Sequence, residues 1–464
     1  MSTSIAILAA GLGTRMRSKR AKVLHRAGGL ALVEHVVAAA REIAAAERIV
    51  VVTGHQAADV EALLRPSGVD FVRQDPPLGT GHALACCREK LETPSGMLMV
   101  LYGDTPLLSA ATLRRLYEAQ EHAGAAATLI TTALEDPSGY GRVIVDPHGN
   151  VEAIVEHKDC NAEQRQVRTI NSGIYCFRAE LLWRHLSEVK PNSKSGEFYL
   201  TDMAAILRKH GHAVRALHIE DPAELLGINT RVELAEADHI LRQRKNHELM
   251  LAGVTIERPE TVTIDPGVSA GMDTVIEAGV RLLGNTKIGE DCRIGAGAVI
   301  ESSELANGVV IGPYTVITNS RLDAGAQAGP FSRMRPGAHA GPNSHIGNFV
   351  ELKNTYLGAG SKSQHLAYLG DSKIGAGVNV GAGTITCNYD GQKKYPTTIG
   401  DGVFVGSNST LVAPLEIAEQ SYIAAGSVVT ENVPPGALAV GRGRQVNKSG
   451  WVEKRKKKSQ AATD

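Results

Sequence analysis

Residues 287–300, Lys-Ile-Gly-Glu-Asp-Cys-Arg-Ile-Gly-Ala-Gly-Ala-Val-Ile, decide the fold of the C-terminal half. Their aliphatic residues belong to a longer series at every sixth position: Ile264, Ala270, Ile276, Leu282, Ile288, Ile294 and Ile300. The phase slips in the middle of this half and the period returns at Ile399, Val405, Leu411, Ile417, Ile423 and Val429. A helix repeats its apolar face every 3.6 residues and a strand every second residue, so neither produces a period of six. A chain wound into triangular coils does, because each flat side turns one aliphatic side chain inward. The glycines of Ile288-Gly289 and Ile294-Gly295-Ala296-Gly297 suit the tight corners. The expectation is an all-β, left-handed parallel β-helix of hexapeptide repeats. At ~18 residues per coil, residues 255–440 make roughly ten coils. Such a solenoid exposes flat flanks that favour side-by-side assembly.

Upstream the pattern is different. Residues 5–9, 49–53, 97–102 and 126–132 read as strands, with helices over 32–46 and 110–123 between them. Alternating strands and helices predict an α/β, Rossmann-like domain with a mostly parallel sheet covered on both faces. Ligands in such sheets bind beyond the carboxyl ends of strands, so the loops after Ala9 and Tyr102 are where chemistry is expected. Thr230-Arg-Val-Glu233 reads as a capping box opening a polar helix that runs to Gly253. The expected division is 1–229, a helical linker 230–252, the β-helix 253–446 and a basic tail 447–464.

Composition limits the function classes. Of 464 residues, 43% are hydrophobic and 21% charged, as in soluble globular proteins. Aromatics are only 4% and glycines number 49, so small and aliphatic side chains must do most of the packing. Lys+Arg and Asp+Glu balance at 49 each, which argues against a nucleic-acid partner. Cys86, Cys87, Cys160, Cys176, Cys292 and Cys387 show no C-x-x-C spacing, so free thiols in a reducing compartment are expected rather than a zinc site or disulfides. The N-terminus lacks the basic region of a signal peptide and no apolar run reaches the ~18 residues of a membrane span. A cytoplasmic protein without a membrane partner is expected.

Two groups of polar motifs break these frameworks. Leu8-Ala-Ala-Gly11-Leu-Gly13-Thr14-Arg15-Met16 follows the first strand, with Lys22 shortly after. Glycines there let backbone N–H groups face a phosphate chain, and Arg15 adds a planar fork of donors. The string is neither a dinucleotide fingerprint, lacking a third glycine at the right spacing, nor a Walker loop, lacking G-K-[ST]. In the β-helix the rhythm is interrupted by Arg333-Met-Arg335-Pro336-Gly337, Glu351-Leu-Lys353, Ser361-Lys-Ser-Gln364-His365-Leu-Ala-Tyr368-Leu-Gly-Asp371 and Thr384-Ile-Thr-Cys-Asn388-Tyr389-Asp390-Gly391. A passive spacer has no need of these side chains. His365 is suited to general-base work, its ordinary pKa lying near neutrality.

The first string resembles the signature of sugar-1-phosphate nucleotidyltransferases. Together with the hexapeptide half, the chain resembles, over nearly its whole length, the family of bifunctional N-acetylglucosamine-1-phosphate uridylyltransferases/glucosamine-1-phosphate acetyltransferases. That resemblance implies acetyl-CoA-dependent N-acetylation of glucosamine-1-phosphate in the C-terminal half. It then implies uridylyl transfer from UTP to N-acetylglucosamine-1-phosphate in the N-terminal half, with pyrophosphate released. The product would be UDP-N-acetylglucosamine, a precursor for peptidoglycan and cell-wall synthesis.

The resemblance also assigns roles. Leu8, Gly11 and Lys22 would hold the nucleotide and Arg15 its triphosphate; Gln74, Gly79 and Thr80 would read the uracil. Asp104, after Tyr102-Gly103, would bind Mg²⁺ with Asn229, while Gly141, Glu156 and Asn171 match sugar-contacting positions. Lys22 and Arg15 would stabilise phosphate charge as the sugar phosphate attacks the α-phosphorus of UTP. In the other half His365 would be the proton acceptor, and Arg335 and Lys353 would grip the sugar phosphate. Tyr368, Asn379 and Asn388 would position sugar and thioester, and Ala382, Asn388, Tyr389, Ser407, Ala425 and Arg442 match acetyl-CoA contacts. The β-helix would assemble as a homotrimer with the acetyl sites between subunits.

Leu12 stands where the family often has Lys, Ala21 where it often has Pro, and Gln364 where a small residue commonly precedes the histidine. The Lys454-Arg-Lys-Lys-Lys458 run reads as a solvated, flexible tail. A transferase with only one activity would lack the His365 and Asn388 strings. A non-catalytic regulatory subunit would have lost Lys22, Asp104, Asn229 or His365. All four are present.

Overall fold

The computed structural model describes residues 3–93, 95–193 and 195–460. The chain divides into two compact units, Met1–Arg244 and Lys245–Asp464.

The N-terminal unit is built on a mixed sheet. Its order is Val214–His218, Ala127–Ala133, Thr169–Arg178, Met97–Tyr102, Thr3–Leu8, Ile49–Thr53 and Asp70–Arg73. Thr3–Leu8 pairs in parallel with both of its neighbours. Every residue of Thr3–Leu8 and Ile49–Thr53 is buried, the mark of strands covered on both faces. Side-chain alternation divides them between two apolar clusters. Ile5 and Ile7 pack with Val36 and Val37 of the helix Leu32–Arg41, while Ala6 and Leu8 pack with Leu84 and Phe177.

Three expectations need correction. The first strand is Thr3–Leu8 and the fourth Ala127–Ala133, each one residue or so from the sequence reading. The helix expected over 32–46 ends at Arg41: Ile43 and Ala44 both donate to Ala40 O, and the chain turns so that Ile49 can enter the sheet. No glycine or proline marks that stop. The strand Thr169–Arg178, absent from the sequence reading, lies antiparallel between Met97–Tyr102 and Ala127–Ala133 and carries the hairpin Arg142–Val145/Val151–Val155.

The C-terminal unit is a stack of triangular coils whose sides form three parallel sheets of 11, 10 and 9 strands. The period-six residues all line one continuous apolar core, with Ala270 partly buried at its start. Buried hydroxyls satisfy the corners, as where Thr286 Oγ1 donates to Leu283 O at 2.8 Å. The phase slips have a structural cause. Thr263 stacks on Arg281, Lys287 on Glu304 and Lys373 on Thr398, so coils of three lengths are stacked without disturbing the inward positions. The longest coil loops out the segment around Tyr389 and Lys394, which pair with each other.

The boundary at 244/245 falls inside the helix Arg231–Leu251 rather than on either side of it. Its capping box forms: Glu233 N donates to Thr230 Oγ1 at 3.2 Å and Thr230 N to Glu233 Oε2 at 2.8 Å. Ala237 is buried with Leu32 and Leu107 in the first unit, and Leu249 lies in the apolar core of the second. The predicted linker therefore belongs to both cores. Within the expected basic tail Trp451–Gln460 forms a helix, the side chains of residues 451–459 are exposed, and Arg455 lies 5.2 Å over the Trp451 ring. Residues 461–464 of the expected tail, like Met1 and Ser2, lie outside the described residues. All six cysteines are free, four of them buried.

Candidate functional site

At the carboxyl ends of the parallel strands a cavity of about 480 Å³ opens between the loops after Leu8, Arg73 and Tyr102. Leu8, Gly11, Lys22, Gln74, Gly79, Thr80, Tyr102 and Asp104 all line it, so eight residues singled out along the sequence meet in one place. Space around Gly11 is open, whereas Gly13 has a left-handed backbone (φ 61°) and packs directly on Lys22, 2.5 Å from where a Cβ would sit. The Lys22 stem is thereby seated against the loop. Gln56, which the sequence reading passed over, accepts from Ala21 N and donates to Lys19 O at 3.1 Å, tying down the segment that carries Lys22.

Lys22 Nζ forms an ion pair with Asp104 and also donates to Asn229 Oδ1 at 3.1 Å; Arg15 Nη2 donates to the same oxygen at 2.9 Å. Asn229 is itself fixed through Nδ2 to Gly227 O (2.9 Å) and through its N–H to Glu233. A carboxylate and an amide oxygen therefore converge on one cationic atom. Hard oxygen donors of this kind fit Mg²⁺. Gly227 also leaves room beside Asp104, its missing Cβ lying 3.3 Å from Oδ2.

The other predicted positions surround Tyr102. Gln74 commits its amide nitrogen to Gly79 O (2.9 Å) and His82 Nδ1 (3.0 Å), which leaves its carbonyl oxygen to accept from a ligand N–H. Asn171 N donates to Gly141 O at 2.9 Å, and Glu156 Oε2 lies 3.7 Å from the Gly141 Cβ position. Burial lifts the Glu156 carboxyl above its usual range, against the opposing hydrogen bond from Thr201. Gly173 was missed: its φ of 80° and its contact with the Tyr102 ring admit no side chain.

In the C-terminal unit the registers align residues that are far apart in sequence. Asn348 pairs with His365, and the following strands carry the same position through Ala382 and Ser407 to Ala425. Successive coils sit about 4.8 Å apart. His365 and three of the predicted acetyl-CoA positions thus form a straight column along one corner. Asn348 Oδ1 lies 2.9 Å from His365 Nδ1.

Across the adjoining face stand Glu351 and Tyr368 in register, and beyond them Arg335 and Lys353. Lys353 Nζ bonds both oxygens of Asp371, at 2.8 and 2.9 Å, and Asp371 also accepts from Asn354 and Asn388. Burial pushes the Asp371 carboxyl up, but those hydrogen bonds outweigh it and hold the group below its usual range. Arg335 pairs with Glu351 at 2.9 Å. Gln364 donates to His345 (3.2 Å) rather than reaching His365. Asn379 stands on the sheet that carries His365, between Lys362 and Phe404, and Tyr389 Oη donates to Gly391 O at 2.6 Å in the looped-out segment. Arg442 is exposed beyond the last strand; among the described residues no hydrogen bond or ion pair ties it to the column. Asn348 and Asp371, the partners of His365 and Lys353, have no role assigned from the sequence, although Asp371 ends the motif 361–371.

Residues 5–183 match the MobA-like NTP transferase domain, residues 267–302 and 285–319 the bacterial transferase hexapeptide, and residues 396–431 the hexapeptide repeat of succinyl-transferase. Over 454 residues the chain is 55% identical to the bifunctional protein GlmU of Solibacter usitatus, covering 98% of this chain and 97% of the relative. The chain belongs to the GlmU family. The corresponding protein of Koribacter versatilis is 49% identical over 98% and 97% of the two chains, and that of an Anaeromyxobacter species 51% over 98% and 93%. Membership of the GlmU family makes this chain a bifunctional transferase, with a nucleotidyltransferase domain followed by a hexapeptide acyltransferase domain.

Proposed function

We infer that the C-terminal unit transfers acetyl from acetyl-CoA to the amine of glucosamine-1-phosphate, and that the N-terminal unit then joins N-acetylglucosamine-1-phosphate to the uridylyl group of UTP. The observation that carries this reading is the pairing of two sites in one chain, the Lys22–Asp104–Asn229 cavity and the Asn348–His365–Ala382–Ser407–Ala425 column.

In the acetyl site an ammonium cannot attack a thioester, so a base must first take its proton. Because Asn348 Oδ1 can only accept, His365 Nδ1 must donate to it, which leaves Nε2 to receive the proton. Arg335 and Lys353 hold the sugar phosphate across the Tyr368 face, and Tyr368, Asn379 and Asn388 orient sugar and thioester. Acetyl-CoA lies along the column of small residues Ala382, Ser407 and Ala425, with Tyr389 and Arg442 as further contacts.

In the nucleotide site the attacking phosphate oxygen needs no activated side chain. Gln74, Gly79 and Thr80 hold the uracil; Leu8, Gly11, Lys22 and Arg15 hold the phosphates; Tyr102, Gly141, Glu156 and Asn171 shape the sugar pocket. Asp104 and Asn229 would hold Mg²⁺, which supplies charge neutralisation on the transferring and leaving phosphates. Lys22, seated beside Asp104, would place its ammonium against the charge of the α- and leaving phosphates.

A homotrimer through the β-helix belongs to this reading. Tyr314, Phe331 and Phe349 stack at 5.4 and 5.7 Å on the corner next to the His365 column and are largely exposed, apolar surface that a second subunit would cover. Among the described residues no helix is long and apolar enough to cross a membrane, in keeping with a cytoplasmic enzyme. The test is a coupled reaction with glucosamine-1-phosphate, acetyl-CoA, UTP and Mg²⁺. Free CoA and UDP-N-acetylglucosamine are both expected, and no nucleotide sugar without acetyl-CoA. CoA release without nucleotide sugar would refute the uridylyl assignment.

A further inference from the structure

The N-terminal unit carries a second cluster of donor atoms, at the opposite end of its sheet. His185 ends the helix Ala179–His185, Glu188 follows in the turn Leu186–Glu188, and His210 caps the helix Asp202–Lys209. The Glu188 carboxylate spans two imidazoles, with Oε1 2.7 Å from His185 Nδ1 and Oε2 3.0 Å from His210 Nε2. The two rings stack with centroids 4.1 Å apart, and the ring of His212 lies 5.9 Å from that of His185.

We propose that His185, Glu188 and His210 form a binding site for a divalent transition metal of the zinc class, separate from the Mg²⁺ site of the nucleotide cavity. One ligand atom from each of the three residues lies within 4.8 Å of the other two. A tetrahedral metal with bonds of about 2.0–2.2 Å holds its ligands roughly 3.3 Å apart, so only small side-chain shifts separate this arrangement from a coordinated one. Two imidazole nitrogens and one carboxylate oxygen suit Zn²⁺, Ni²⁺, Cu²⁺ or Co²⁺, whereas Mg²⁺ prefers oxygen donors and retained water.

The framework is suitable. His185 is buried on a helix packed through Leu182 and Trp183 into the apolar core, so one ligand is held rigidly. Glu188 and His210 are exposed, which gives an ion its way in and water the remaining coordination position.

Topology sets the role. Thr169–Arg178 runs antiparallel to Met97–Tyr102, so Arg178 lies opposite Met97 and the helix Ala179–His185 departs from the amino end of that strand. His212 lies two residues before the amino end of Val214–His218, a strand parallel to its neighbour. The nucleotide loops are at the carboxyl ends. A metal here would staple the helices Ala179–His185 and Asp202–Lys209 together without touching the reacting phosphates.

The test uses the full chain, freed of metal with a chelator and titrated calorimetrically with ZnCl₂ in excess Mg²⁺, beside Glu188→Gln and His210→Ala. Wild type should bind one tight Zn²⁺ equivalent that each variant binds at least about tenfold more weakly. Losing even an outer-shell partner weakens metal sites by roughly 10–100-fold. Zn²⁺ should also raise the melting temperature of wild type only, and Co²⁺ should give visible absorption that His210→Ala abolishes. Both substitutions are at exposed residues, and Glu188→Gln keeps the shape of the side chain should His210→Ala fail to fold. Equal Zn²⁺ affinity in wild type and the folded variant, or no binding up to millimolar Zn²⁺, would mean an ordinary hydrogen-bonded triad and overturn the proposal.

Discussion

Asn348 and His365 occupy the same position on successive coils, and the amide oxygen of the first holds the Nδ1 of the second at 2.9 Å. An imidazole that donates through Nδ1 presents an unprotonated Nε2, so in the proposed mechanism Asn348 selects the tautomer that serves as the base. Asn348→Ala should lower kcat for acetyl transfer roughly tenfold or more while changing KM for the sugar phosphate little. Asn348→Asp should restore part of the rate and move the acidic limb of its pH profile to higher pH, because a carboxylate favours the imidazolium. An unchanged pH profile would rule out the positioning role.

His365→Ala should abolish acetyl transfer and leave uridylyl transfer from supplied N-acetylglucosamine-1-phosphate intact. Assaying the two half-reactions separately reads this directly, and retained acetylation would exclude His365 as the base.

Lys22 and Asp104 neutralise each other, with Asn229 bridging to Arg15. Asp104→Asn should raise the Mg²⁺ concentration needed for half-maximal uridylyl transfer, and Lys22→Ala should lower kcat by roughly a hundredfold or more. Acetyl transfer, in the other unit, serves as the internal control for both.

Asp371 gathers Lys353, Asn354 and Asn388, and its folded carboxyl stays below the ordinary range. A depressed carboxyl contributes stability that is fully present above the unfolded value of about 3.9 and is lost as pH falls through the folded value. The melting temperature of Asp371→Asn should therefore lie below wild type by a constant amount from pH 8 to about pH 5, and the gap should close under about pH 4. Calorimetric scans across that range check the sign.

Gly173 combines φ 80° with a Cβ position only 2.5 Å from the Tyr102 ring. Gly173→Ala should destabilise the N-terminal unit by about 1–3 kcal/mol and raise KM for the sugar phosphate, since Asn171 and Tyr102 flank it. Chemical denaturation followed with the half-reaction assay measures both effects.

Legibility in the sequence followed the range of the interactions. The β-helix could be read because each coil repeats a local rule, one inward aliphatic in six, and every such residue lies in the core. The glycine-rich loop and the strands Ile49–Thr53 and Met97–Tyr102 were equally local. The strand Thr169–Arg178 was not visible: its polar start, Thr-Ile-Asn-Ser-Gly, serves the site and masks the apolar run behind it. The end of the helix Leu32–Arg41 was missed because an alanine-rich continuation carries no stop signal.

The sequence by itself determined the two architectures, the family resemblance and the motifs proposed to carry chemistry, because periodicity and short motifs are properties of neighbouring residues. Tertiary structure decided which of those residues act together. The column from Asn348 through His365, Ala382 and Ser407 to Ala425 has unequal spacing in sequence, since one long coil intervenes, and only parallel registry makes it straight. The same holds for the convergence of Asp104 and Asn229 on the Lys22 ammonium, and of His185 and His210 on the Glu188 carboxylate. Contacts between residues far apart along the chain depend on where packing places each element, which no local pattern records.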